Sequence, residues 1–305
     1  LRKGYVISFL VLANLFWAGN YIFGKYVVAE LSPLQMTFIR WLIAVAILFP
    51  LAHWIEKPNW RAVWKHWKML FLLALLGILG YNMLLYEALR FTTSVNAALV
   101  NSINPALIAV FAIWLLKEKL SLMNGFGLLI SLVGVLLVLT RGQLLQVFQN
   151  DYNRGDLLMI AAISVWTAYT LLNKRLGGLP TIACTAVSAL LGLIAAFPFF
   201  LASGFSYPLS PMAGAGILYI ALFPSVCSFV FWNIATQHVG ASRAGIFLNL
   251  LTVFTAVLSL LLGNPMTAAQ IAGGLLVIVG VILTNTKKRH HLPAISESAK
   301  RFVSK

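Results

Sequence analysis

The chain has 305 residues, 61% of them hydrophobic and 10% charged, with a mean hydropathy of +0.91. A soluble domain of this size carries about 25% charged residues, so the composition excludes a protein that folds in water. The formal net charge of +15 would suit a polyanion, but its distribution along the chain excludes nucleic acid as the partner.

Crossing about 30 Å of hydrocarbon takes roughly 20 mostly apolar residues. Ten segments meet that requirement: 6–28, 34–54, 69–89, 94–116, 122–140, 155–175, 180–202, 212–237, 243–263 and 268–285. The first is too long for a leader and has no small-residue cleavage site, so it reads as a retained helix. With the N-terminus inside, 17 of the 22 basic residues fall on inner segments. Only Lys25, Arg90, Arg141 and Arg154 fall outside, and Arg40 lies within the second span. That bias predicts both termini in the cytoplasm. Cys184 and Cys227 fall inside spans and read as small packing residues. The five histidines, His53, His66, His238, His290 and His291, lie outside or at the ends of spans, so no metal site or cofactor is expected.

The chain also resembles itself. Sliding it by 146 residues places Gly127 on Gly273, Gly134 on Gly280, Tyr86 on Trp232 and Ser121 on Thr267. A slightly different offset lays FWAGNYIFGK (16–25) on VWTAYTLLNK (165–174). The expected organisation is a first repeat over 1–141, an outer linker over 142–154, a second repeat over 155–287 and a cytoplasmic tail over 288–305. Each repeat holds five spans, an odd number, so the second must enter the membrane from the opposite side. The predicted fold is an all-α membrane protein of ten transmembrane helices in two inverted five-helix repeats. Inverted repeats supply two exchangeable conformations around a midplane site, the architecture of a secondary transporter.

Three stretches carry a family resemblance: LSPLQMTFIRWLIA (31–44), YEALRFTTSVNAALVNSINPALIAVFAIWLLKEKLS (86–121) and YIALFPSVCSFVFWNIATQHVGASRAGIFLNLL (219–251). They resemble the EamA branch of the drug/metabolite transporter superfamily over nearly the whole chain. The resemblance implies ten helices, export of small metabolites through a central cavity, and amino-acid exporters of bacterial inner membranes as the nearest kind. An intramembrane arginine at the position of Arg40 is usual there, which favours a structural or gating role with Glu30 or Glu87 as partner. The second half departs from the pattern, with Leu251-Thr252 in place of the proline and Gly263-Asn264 in place of Gly-Glu.

Candidate binding residues follow from polarity at membrane depth. Ala97, Asn101, Asn104 and Ile108 share one helical face, and Pro105 removes a backbone donor and clashes with the carbonyl of Asn101. Two amides and a loosened backbone could line a wet cavity, or the amides could simply bond neighbouring helices. Trp17, Asn20 and Tyr21 on the first span, with Trp166 and Tyr169 on the sixth, place tryptophan near the span centre, where an aromatic wall for an amphipathic ligand or plain helix packing would each use it. Tyr81, Asn82 and Ser228 are further substrate-binding candidates. Glu87 is the one acid near the cavity, yet it reads first as a surface carboxylate, and Glu118 reads as an inner-surface ion pair with Lys117 or Lys119. No catalytic residue is identified.

The leading reading is thus an exporter of small molecules, amino acids favoured, in the bacterial inner membrane, as a monomer or weak homodimer within the lipid bilayer. A carrier for drugs or nucleotide-sugar-type substrates is the alternative within the class, and a membrane enzyme the alternative outside it. Phosphate carriers should place several cations round the cavity, and only Arg40 is available.

Overall fold

Inside hydrocarbon a backbone must satisfy its own hydrogen bonds, which leaves helices as the solution for so apolar a chain. The computed structural model describes residues 3–145, 153–204, 209–263 and 266–285, and among them all regular structure is helical. The helices are α1 (Lys3–Val27), α2 (Pro33–Ile55), α3 (Trp67–Phe91), α4 (Ser94–Asn101 and Asn104–Leu116) and α5 (Leu122–Leu139) in the first half. The second half holds α6 (Arg154–Asn173), α7 (Thr181–Ala202), α8 (Pro211–Val239), α9 (Ala241–Ile246 and Asn249–Leu261) and α10 (Ala268–Asn285). Nine are long and apolar enough to cross a membrane among the described residues, and α10 is a shorter apolar helix packed along α5 as the tenth. The predicted tail over 288–305 and Asn264 lie outside the described residues.

Local chemistry sets the helix starts. Ser32 and Gln35 form a reciprocal capping box at the head of α2, with Pro33 in the first turn, where a missing N–H costs nothing. Asn153 and Asp156 do the same for α6. Carboxylates from other helices cap three more starts. Glu30 accepts from Ser210 N (2.9 Å) and Ser210 Oγ (2.5 Å) at α8, Glu56 from Ile182 N and Ala183 N at α7, and Glu118 from Ala241 N and Ser242 N at α9. Negative charge at these positive helix ends is favourable. Four of the chain's seven acids are therefore helix caps. This corrects the expected pairing of Glu118 with a neighbouring lysine: backbone donors of α9, not ammonium groups, hold its carboxylate.

The helix pairings reveal the symmetry. Helix α2 packs on α7, α4 on α9 and α5 on α10, while α1 packs on α8 as α6 packs on α3. Exchanging the two halves maps this set onto itself. Glycines fix the α5–α10 pair: a Cβ on Gly127 would lie 2.6 Å from the carbonyl oxygen of Gly280, and one on Gly134 would lie 2.6 Å from that of Gly273. The sequence alignment puts Gly127 on Gly273 and Gly134 on Gly280, so these two contacts are each other's images. Small residues permit this approach, which replaces the hydrophobic drive that lipid cannot provide.

Four helices are irregular at matching places. Ala74–Gly80 in α3 and Ala221–Ser228 in α8 are π-helical, a wider coil that leaves some carbonyls without helical donors. Side chains fill the gap: Asn82 Nδ2 donates to Gly77 O and Ile78 O, and Ser225 Oγ donates to Ile220 O. Helices α4 and α9 break at 102–103 and 247–248, where bonds such as Ile103 N to Val100 O and Leu248 N to Gly245 O tighten the turn. Pro105 sits just inside the second piece of α4 rather than kinking a continuous helix. The break in α9 forms with no proline at all.

Candidate functional site

The irregular segments surround one buried polar and aromatic layer. From α1, Trp17 meets Trp166 of α6 edge to face, with centroids 5.2 Å apart. Trp166 also packs on Tyr81 (4.8 Å), Tyr169 (5.1 Å), Phe229 (5.4 Å) and Trp232 (5.9 Å). Trp17 further contacts Trp232 and Phe229. Rings from both halves thus meet at the midplane, and Trp17 and Trp166 are only 7% and 3% exposed.

Hydrogen bonds run from this layer into each half, and the two sets are images with a swap. In the first half Tyr86 of α3 donates to Asn20 of α1 at 2.9 Å. In the second, Asn233 of α8 donates to Tyr169 of α6 at 2.8 Å. Residue 20 falls on 169 in the alignment, so asparagine and tyrosine have exchanged helices. Asn173 and Thr185 complete the second set through Asn233. Arg40 completes the first: its Nε donates to Ser225 Oγ (2.7 Å), and its Nη1 donates to Asn82 Oδ1 (2.8 Å) and Tyr86 OH. One set is cationic, the other neutral. A second matched pair lies nearby, with Lys25 Nζ bonded to Leu89 O and Thr92 O and Lys174 Nζ to Thr236 O and Gln237 O.

The structure brings Trp17, Asn20, Tyr81, Asn82, Trp166 and Tyr169 into this layer, and Tyr21 is buried beside Tyr81 and Tyr86. Ser228 Oγ donates to Ala13 O and holds α8 against α1. Asn104 Oδ1 accepts from Thr167 Oγ1 of α6, and Asn101 is buried at the end of the first piece of α4. Two expectations fail. Glu30 is engaged by Ser210, and Glu87 pairs with Arg90 at 3.1 Å on the surface, so neither reaches Arg40. Arg40 lies two helical turns inside the α2 start, too deep for a loop carboxylate, and neutral oxygens surround it instead. The aromatic and amide candidates also do not line an open central space: their side chains fill the midplane by packing on one another.

The open space is lined by other residues. A cavity of about 310 Å³ between α1, α4, α5, α9 and α10 is lined by Ile22, Lys25, Ala98, Arg141, Thr252 and Ser259 among others. Ala98 is one turn before Asn101, and Thr252 follows the break in α9. The cavity reaches the face of the bundle that carries Lys25 and Arg141, called here the linker face. On the opposite, termini face the α4–α9 pair is tied by Glu118, next to a shallow depression lined by Lys119, Lys174, His238 and Arg243. A third cavity, about 480 Å³, is wholly apolar and opens between α1, α9 and α10.

Sequence reasoning missed Ser225, Asn233 and Thr185. Asn233 was findable: an offset of 147 lays it on Tyr86, just as an offset of 149 lays Tyr169 on Asn20, so each tyrosine falls on an asparagine. Ser225 carried no comparable signal, because its role depends on the π-helical turn.

Inverted five-helix halves around a buried polar layer, with a cavity reaching one face, give a polytopic membrane protein with the inverted-repeat architecture found in transporters. The EamA-like transporter family model matches residues 4–140 and 153–286, and the chain belongs to that family. It is similar to an uncharacterized transporter of Archaeoglobus fulgidus, 32% identical over 92% of this chain and 96% of that one. It is likewise similar to the uncharacterized transporter YyaM of Bacillus subtilis, 29% identical over 88% of this chain and 90% of the relative. A solved crystal structure shares the fold with a TM-score of 0.75 at 18% identity, over 93% of this chain and 98% of the other.

Proposed function

We propose that the protein exports small amphipathic metabolites, amino acids favoured, across a bacterial inner membrane by alternating access. The linker face is then the exterior and the termini face the cytoplasm, as the basic-residue bias implies. The halves 1–141 and 155–287 rock against each other about the midplane layer, where Trp17, Asn20, Asn101, Asn104, Trp166 and Tyr169 take the substrate once their rings part. Aromatic faces would receive its apolar portion and the amides its polar one. One observation carries this reading: a cavity reaches the linker face, while the two halves meet in a closed aromatic layer and Glu118 ties α4 to α9 at the other face. No described acid is free at the midplane to carry a proton, so transport runs down the substrate's own gradient.

The test is efflux from proteoliposomes preloaded with radiolabelled amino acids, one at a time, with and without an imposed pH gradient. Export of at least one amino acid, reduced in Asn101→Ala and Trp17→Ala at normal expression, supports the reading. Efflux of none of them, or efflux unaffected by both substitutions, overturns it.

A further inference from the structure

Arg40 has a chemical environment that structural support alone leaves unexplained. It is 1% exposed, it sits in the membrane interior, and among the described residues no carboxylate contacts it. A buried ion without a counter-charge is costly even when hydrogen-bonded, with an effective penalty of several kcal/mol. Its three bonds all run to neutral oxygens, and Nη2 makes none among the described residues. Other donors nearby are also unmet. Trp41 Nε1 and Thr37 Oγ1, on the same helix and fully buried, have no partner among the described residues. The region therefore has a surplus of unmet polar groups and one positive charge, with no carboxylate among the described residues to absorb either.

The surplus is continuous with the aromatic layer. The guanidinium lies 5.6 Å from the ring centres of both Trp41 and Tyr86. Trp41 contacts Phe229 at 4.8 Å, and Phe229 contacts Trp166 at 5.4 Å. In the second half Asn233, Tyr169, Asn173 and Thr185 satisfy one another without a charge, and among the described residues no buried cation matches Arg40 there. One end of the layer carries a buried positive charge and the other does not.

We propose that Arg40 anchors the carboxylate of the transported solute, through Nη2 and the donors around it, while the aromatic layer holds the solute's apolar part. This rests on the proposed function and specifies it: the substrate class is a small monocarboxylate with an apolar or aromatic body. An arginine fork matches a carboxylate and is less strongly hydrated than an ammonium, so it suits a site that must desolvate its ligand on each cycle.

The test uses purified full-length protein in nanodiscs and two radiolabelled probes, phenylacetate and its uncharged analogue phenylacetamide. Wild type should bind the acid at least about tenfold more tightly than the amide. Arg40→Gln should bring that ratio close to one, and Arg40→Lys should leave it in between, since a point charge lacks the fork. A purely structural arginine would weaken both probes together and leave the ratio alone. Equal binding of the two probes by wild type, a preserved ratio in Arg40→Gln, or no saturable phenylacetate binding overturns the proposal. Trp166→Ala separates the two claims. If it weakens both probes while the wild-type ratio is one, the aromatic site stands and the role of Arg40 falls. If it alters neither, the aromatic site itself is wrong.

Discussion

Trp166→Ala should release the closure of the termini face, and its size follows from which ring contacts cross between the halves. Of the five rings around Trp166, Tyr169, Phe229 and Trp232 belong to its own half and move with it. Only Trp17 and Tyr81 lie across the boundary. Contacts within a half persist in either conformation and cancel. Two cross-boundary aromatic pairs at about 0.5–1.5 kcal/mol each give about 1–3 kcal/mol, which shifts a two-state population by roughly 5- to 150-fold. Spin labels at Lys119→Cys and Arg243→Cys, in a Cys184→Ala/Cys227→Ala background, would report the termini-face distance by pulsed electron resonance. Trp166→Ala should add a longer-distance population absent or minor in the parent. Superimposable distance distributions, with the variant folded, would show that these rings do not hold that face shut.

Further outcomes follow from the helix caps and seams. Glu118→Gln replaces a charged cap on Ala241 and Ser242 with a neutral one, so the same labels should show partial opening, and Glu118→Ala more. Gly134→Val forces a Cβ to 2.6 Å from Gly273 O and should separate α5 from α10, lowering the thermal midpoint in detergent, whereas Gly125→Ala, with nothing within 4 Å of the added carbon, should leave it unchanged. Glu30 is held below its ordinary value of 4.5, first by the Ser210 hydroxyl and then by its backbone N–H. A carboxyl depressed in the folded state stabilises above its unfolded value and loses that contribution as pH falls through the lower folded one; the thermal midpoint of Glu30→Gln should therefore approach that of wild type only in acid, below the ordinary value of 4.5. Glu87 pairs with Arg90 at the surface, so Glu87→Gln should leave efflux and its pH dependence intact, and loss of proton-driven accumulation in that variant would contradict facilitated transport.

The ten helices and their inversion were legible because hydrocarbon imposes a long apolar run on each span, and an odd number of spans per repeat dictates opposite entry. The glycines of the α5–α10 seam were legible as a repeat, because Gly127 and Gly134 fall on Gly273 and Gly280, but the helices they join were not. The midplane layer was half legible. Trp17, Trp166, Asn20 and Tyr169 stood out as polar or bulky residues at the wrong depth, and they do converge. Their packing into a closed layer was not legible, because one sequence serves every conformation of a transporter and residue types do not say which one is populated. The break in α9 was hidden because Phe247 and Leu248 carry no breaker, although it falls where α4 breaks at 102–103 in the first half. Partners of charged groups were the least legible. Glu30, Glu56 and Glu118 find backbone N–H groups on helices distant in sequence, and no local pattern encodes that.

The central claim is that a vestibule on one face exchanges with one on the other around the midplane layer. It is tested most directly by paired thiol accessibility in proteoliposomes: Ser259→Cys in the linker-face vestibule and Lys119→Cys on the termini face, each in the cysteine-free background, labelled with and without a saturating transported amino acid. The account predicts reciprocal changes, with one position losing reactivity as the other gains it, and a larger termini-face gain in Trp166→Ala. Reactivity that changes in the same direction at both positions, or at neither while flux proceeds, would contradict it.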